Sequence, residues 1–186
     1  MPKNRGLHDR GAKRAEIIGV ARELFVSDGF ERTSVSRLAK AVGITPNTLY
    51  WYFEDKDDIL VAVLTAIVAE DAADYADIAD RPLAERLEWL VERLQRVGPL
   101  VSTVHERATK SEAINLWHNG FHAYAESIFA VDVAASGFSG PEADAMIRIG
   151  TFVVEGLLTH APSPDATRAV IDQLVTAMSH GRAPGG

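Results

Sequence analysis

The chain has 186 residues, 47% of them hydrophobic, no cysteine, and a formal net charge of −7 at pH 7. That length holds one large domain, or a small one joined to a larger one, with enough apolar content for a full core. The lack of cysteine excludes disulfides and thiolate sites and suits a reducing cytoplasm. No apolar run reaches membrane-spanning length, and no signal-peptide core opens the chain.

In chain order, residues 1–11, with Pro2, Gly6, Gly11, Lys3, Arg5 and Arg10, are expected to form a flexible basic arm. Ile17, Ile18, Ala21, Leu24 and Phe25 recur at helical spacing and predict a helix from about Ala12 to Asp28. Thr33 or Ser34 can cap a second helix whose apolar face is Val35, Leu38, Ala39 and Val42. Gly43 ends it, because glycine takes the left-handed conformation without a Cβ penalty. Thr45 caps a third helix reaching about Phe53, with Pro46 at its first position, where a missing N–H costs nothing. Leu49 and Phe53 face inward, leaving Pro46, Asn47, Thr48, Tyr50, Trp51 and Tyr52 for another surface.

Two short amphipathic helices around a tight glycine turn, the second polar and aromatic, make a helix-turn-helix pattern that reads a major groove. Thr and Asn can meet base edges, and tyrosine hydroxyls can bond phosphate oxygens. The candidate DNA-contacting set is Ser34, Ser36, Arg37, Thr45, Pro46, Asn47, Thr48, Tyr50, Trp51, Tyr52 and Lys56. Lys56 opens the next helix behind an Asp55 cap and could hold flanking backbone. Charge distribution agrees: residues 1–53 carry nine Lys/Arg against five acids, and the remainder ten against 21. A basic head on an acidic body meets a polyanion with one end only.

From Lys56 a long helix continues towards Asp80, and Pro82–Arg96 forms another. Gly98-Pro99 punctuates before a short segment to Glu106, and a helix runs from Ser111 to about Val131. A loop over 134–141 precedes helices Pro141–His160 and Pro164–His180, with a frayed tail at 182–186. No strand alternation appears, so the fold class is all-α with about nine helices: a three-helix head over 12–56 and a larger helical domain over 57–181.

The stretch from Ala12 to Leu60 resembles the DNA-binding domain of TetR-family transcriptional regulators. The residues that carry the likeness are Ala21, Leu24-Phe25, Gly29-Phe30, Thr33-Ser-Val35, Leu38-Ala39, Ala41-Val-Gly-Ile44, Thr48-Leu-Tyr50, Tyr52-Phe53, Lys56 and Leu60. Many members have Gly before the Thr-Leu-Tyr, where this chain has Asn47, a side chain able to read adenine.

The resemblance implies that the last two helices pair with their copies in a homodimer. Met146, Ile147, Gly150, Val153, Val154, Leu157, Val170, Ile171, Leu174, Val175 and Met178 are the interface candidates; as residues alone, they read equally as intrachain core. It also implies an effector site in the middle helices, with Trp89, His105, Trp117, His118, Phe121, His122, Tyr124 and Phe152 as candidates. An ordinary aromatic core is the competing reading for each of them. Aromatic walls with a few polar anchors would suit an aromatic or lipophilic molecule. His118 and His122, spaced i, i+4, can chelate an ion, but they lack the Glu of a zinc-hydrolase motif, and the pair alone assigns no metal. No nucleophile elbow or phosphate loop points to an enzyme, and no cofactor is expected.

The sequence thus predicts a cytoplasmic, ligand-responsive repressor that binds double-stranded DNA at a palindromic operator as a dimer and is released by a small effector. An architectural or cell-cycle DNA-binding protein on the same fold, without effector, is the alternative.

Overall fold

A computed structural model describes residues 3–180, with the side chains of 3–9 and of His180 left aside. Those residues form nine helices and no strand. They are α1 (Lys3–Ser27), α2 (Val35–Val42), α3 (Pro46–Leu49), α4 (Lys56–Ala76), α5 (Leu83–Arg96), α6 (Gly98–Ala108), α7 (Glu112–Ala135), α8 (Gly140–His160) and α9 (Pro164–His180). The expected arm is corrected in part, because α1 is already helical at Lys3 rather than starting near Ala12. The expected frayed tail lies outside the described residues. Gly98-Pro99 opens α6 instead of lying between helices: Pro is tolerated in a first turn, where its N–H has no partner to lose.

The chain divides into two compact units, Met1–Ala72 with Pro99–His118, and Ala73–Gly98 with Asn119–Gly186. The first is larger than the head read from sequence. Its core is Ile17, Ala21, Phe25, Phe30, Leu38, Leu49 and Phe53, together with Ile59, Leu60, Val63 and Leu64 of α4. The first half of α4 is therefore part of the head's interior. Each turn around the helix-turn-helix is fixed by a local bond. Ser34 caps α2 by accepting from Arg37 N at 3.2 Å. Gly43 closes it at φ 73°, a left-handed residue that releases the chain into the next cap. Thr45 Oγ1 accepts from Thr48 N at 3.1 Å. Asp55 accepts from Asp58 N at 2.8 Å, while the Asp58 carboxylate accepts from Glu54 N at 3.1 Å, a reciprocal closure of the α4 start. Thr33 is fully buried, its hydroxyl satisfied by the Gly29 carbonyl at 2.9 Å.

In the second unit, α5 packs on both α8 and α9, which also pack on each other. Leu87 and Val91 of α5, Val133 of α7, Leu157 of α8, and Ile171, Leu174 and Met178 of α9 make one buried cluster. Arg86 grips Asp132 through both Nη atoms and donates to the Tyr75 hydroxyl at 2.8 Å, tying α5 to α7. That hydrogen bond to Asp132 holds the guanidinium above the ordinary arginine range, against the opposing effect of burial.

Gly150 marks a close approach in this unit. A Cβ there would stand 2.3 Å from Cε1 of Phe129, well inside van der Waals contact. Gly150→Ala should therefore destabilise the chain by roughly 1–3 kcal/mol through overpacking. Urea unfolding checks this, and a loss below the low end of that range would mean that Phe129 swings aside freely.

Candidate nucleic-acid interface and the residues of the body

The recognition segment is shorter as helix than its spacing suggests. α3 has only four residues, and Tyr50, Trp51, Tyr52 and Phe53 follow in tight turns. Trp51 N donates to Thr48 O at 3.2 Å and Tyr52 N to Leu49 O at 2.9 Å, the i→i+3 bonding of a tightened last turn. The consequence is an outward display. Thr45, Pro46 and Asn47 are exposed, Tyr50 is 51% exposed and Trp51 78%, while Leu49 and Phe53 anchor the segment underneath. Thr48 and Tyr52 are half-buried at its edges.

Ser34, Ser36 and Arg37 are exposed at the start of α2, with Arg37 paired to Asp28. α1 braces this surface: Arg10 Nη2 donates to the Trp51 carbonyl at 3.1 Å, and the Arg14 guanidinium lies 4.7 Å over the Phe53 ring. Lys56 also has partners within the head. Its side chain is 22% exposed, donates to the Phe30 carbonyl at 3.0 Å and lies 4.0 Å over the Phe30 ring. The ammonium holds the α1–α2 connection together.

Beside Lys56 is a clamp that sequence reading missed. Arg107, on α6, donates from Nη2 to Asp57 at 2.7 Å and from Nη1 to Glu31 at 3.1 Å, and its guanidinium lies 4.9 Å over Phe30. The bond to Asp57 holds the guanidinium above the ordinary arginine range, more than burial lowers it. Asp57 Oδ1 and Arg107 Nε are buried with no protein partner. Partners separated by 50 and 76 positions leave no trace in local spacing.

The effector candidates divide between the two units. In the first, Trp117 Nε1 donates to Thr65 Oγ1 at 3.1 Å, and the His105 and His118 rings meet edge to face. In the second, Trp89 lies 6.0 Å from the Tyr75 ring with Arg93 over it at 5.2 Å, and Phe121 lies 6.0 Å from His122. Tyr124 is 42% exposed and Phe152 67%, so neither is enclosed by its own unit.

The α8–α9 candidates need a correction. Gly150, Leu157, Ile171 and Met178 are buried, packed inward with α5 and α7, so their surface is already covered within the chain. Both helices have two apolar faces, and periodicity does not say which one turns inward. The outer face bears a groove lined by Met146, Ile149, Val153, Ala169, Val170, Gln173, Leu174 and Ala177. Ile149 was not among the expected interface residues, and Phe152 belongs to the same outward side of α8 by exposure.

A capped helix pair around a left-handed glycine, with an exposed Thr-Pro-Asn-Thr-x-Tyr-Trp face, defines a helix-turn-helix DNA-binding regulator. Residues 17–63 match the family model for bacterial regulatory proteins of the tetR family. The match takes in the helix-turn-helix and the first turns of α4. The HTH-type transcriptional regulator UidR of Escherichia coli strain K12 is 26% identical over 177 residues, covering 90% of this chain and 78% of UidR. Among solved structures, a transcriptional regulator from Rhodococcus sp. Rha1 superposes with a TM-score of 0.76 at 17% identity, covering 90% of this chain and 96% of that one. A regulator from Saccharomonospora viridis, in complex with choline, gives 0.74 at 19% identity over 89% and 96%. These relatives are transcriptional regulators rather than enzymes. Among the described residues, no helix is long and apolar enough to cross a membrane.

Proposed function

We propose that the protein is a one-component repressor that binds a palindromic operator as a homodimer and leaves it when a small molecule occupies the body. The carrying observation is the exposed Thr45–Trp51 face, held from below by Leu49 and Phe53. Asn47 and Thr48 meet base edges, Tyr50 and Tyr52 meet phosphate, and Ser34, Ser36 and Arg37 fix the flanking strand. Two heads reach half-sites about 34–36 Å apart, or a multiple of that. The outer α8–α9 groove is the contact between copies. The choline complex of the Saccharomonospora regulator supports a small-molecule input, and the aromatic candidates of this chain favour an aromatic or lipophilic one. Because ligand and DNA act on one equilibrium, each weakens the other by the same factor.

Fluorescence anisotropy on duplexes from the region upstream of the gene tests the reading. Binding should fall steeply as salt rises, since phosphate contacts displace condensed counterions. Failure to bind any such duplex at low salt would overturn it. Asn47→Ala should relax preference at one base position, at a cost of roughly 1–3 kcal/mol. Tyr50→Phe should weaken all sequences alike. Equal losses on every sequence for both variants would contradict the division of roles.

A further inference from the structure

His118 and His122 share a face of α7 by their i, i+4 spacing, and the fold adds what spacing could not. The chain reverses tightly between α6 and α7, with Lys110 N and Ser111 N both donating to the Arg107 carbonyl, at 2.8 and 2.9 Å. That turn brings His105 of α6 against His118, with ring centroids 5.1 Å apart at an interplanar angle of 87°. His105 is exposed and His118 half-buried, so an ion can reach the pair from solvent.

We infer that His105 and His118 bind a divalent transition-metal ion that acts as an input to the head. Neutral imidazoles in a chain with no cysteine select the zinc, nickel, cobalt and copper class over magnesium or calcium, which demand oxygen ligands. The link to the head is short. His105 stands two residues before Arg107, whose guanidinium grips Asp57 and Glu31. An ion that fixes the end of α6 against α7 fixes the position of that clamp. The regulatory half of this inference rests on the proposed repressor function; metal uptake does not.

The full-length protein, stripped with chelator and free of DNA, is titrated with Co(II) and followed by its visible absorption and by calorimetry. One equivalent per chain is expected. His105→Ala and His118→Ala should each weaken affinity by more than about tenfold. The double variant His105→Ala/His118→Ala retains His8, His122, His160 and His180, so it measures background uptake. Equal uptake by the wild type and the double variant overturns the site. In the second arm, Co(II) should change operator affinity of the wild type and leave that of His105→Ala unchanged. Saturable uptake with unaltered operator affinity overturns the role as an input while leaving the site in place. Absence of any operator binding, with Co(II) uptake intact, is instead a failure of the repressor reading.

Discussion

Arg107→Met should cost the first unit about 3 kcal/mol of stability, the lower end of the range for removing one partner of a buried ion pair. The lower end is appropriate because the Arg107 side chain keeps 24% of its exposure, whereas Asp57 keeps 13%. The loss arises less from a missing attraction than from what remains. Asp57 would be left largely buried, with Oδ1 already lacking a partner and Oδ2 newly deprived of one. Removing both charges tests this: the double variant Arg107→Met/Asp57→Leu should recover most of the loss. Recovery should fall short of completion, because an acid in the first turn of α4 also favours the helix dipole by roughly 0.3–1 kcal/mol. Glu31 is 73% exposed, so Glu31→Gln should change stability little. Urea unfolding of the wild type, Arg107→Met, Asp57→Leu and the double variant closes the cycle, and additive losses for Arg107 and Asp57 would show that the pair is not coupled.

The same clamp shows where sequence reading stops. Ser34, Gly43, Thr45 and Asp55 announce their roles locally, since a cap or a left-handed turn needs a particular residue within three or four positions. The helix-turn-helix and its outward face were therefore legible as soon as the apolar spacing was counted. The bounds of α9 also follow directly, from Pro164 at its start. Long-range partnership has no such signature. Glu31, Asp57 and Arg107 are ordinary surface-type residues until α6 is packed, and His105 looks isolated until the turn before α7 sets it beside His118. Lys56 is a related case: a cation next to a DNA-reading segment suggests phosphate, and its contacts with the Phe30 carbonyl and ring have no signal in the sequence. The two-faced apolar helices α8 and α9 are a third case. A stripe of Ile, Val, Leu and Met states that a face is buried, without stating whether by this chain or by another.

That ambiguity yields the largest expected effect. Ile149 is 47% exposed and Val170 41%, and both line the outer groove, whereas Ile171 and Leu157 lie at 1% and 4% in the interior. The double variant Ile149→Glu/Val170→Glu places four carboxylates in the proposed contact of a dimer and none in the chain's own core. Unpaired charges in an apolar interface cost several kcal/mol, so the dimer dissociation constant should rise by more than about a thousandfold. Sedimentation should then find the variant as a monomer, with helical content and unfolding midpoint close to the wild type, because no interior contact has changed. Operator affinity should collapse further than the loss of one head's contacts implies. A linked second head binds its half-site intramolecularly, an advantage of roughly 10²–10⁴ that vanishes once the copies separate. The isolated half-site should be bound equally by both proteins. If the double variant stays dimeric and retains full operator affinity, the α8–α9 groove is not the contact, and the outward Phe152 side of α8 must be covered by something else.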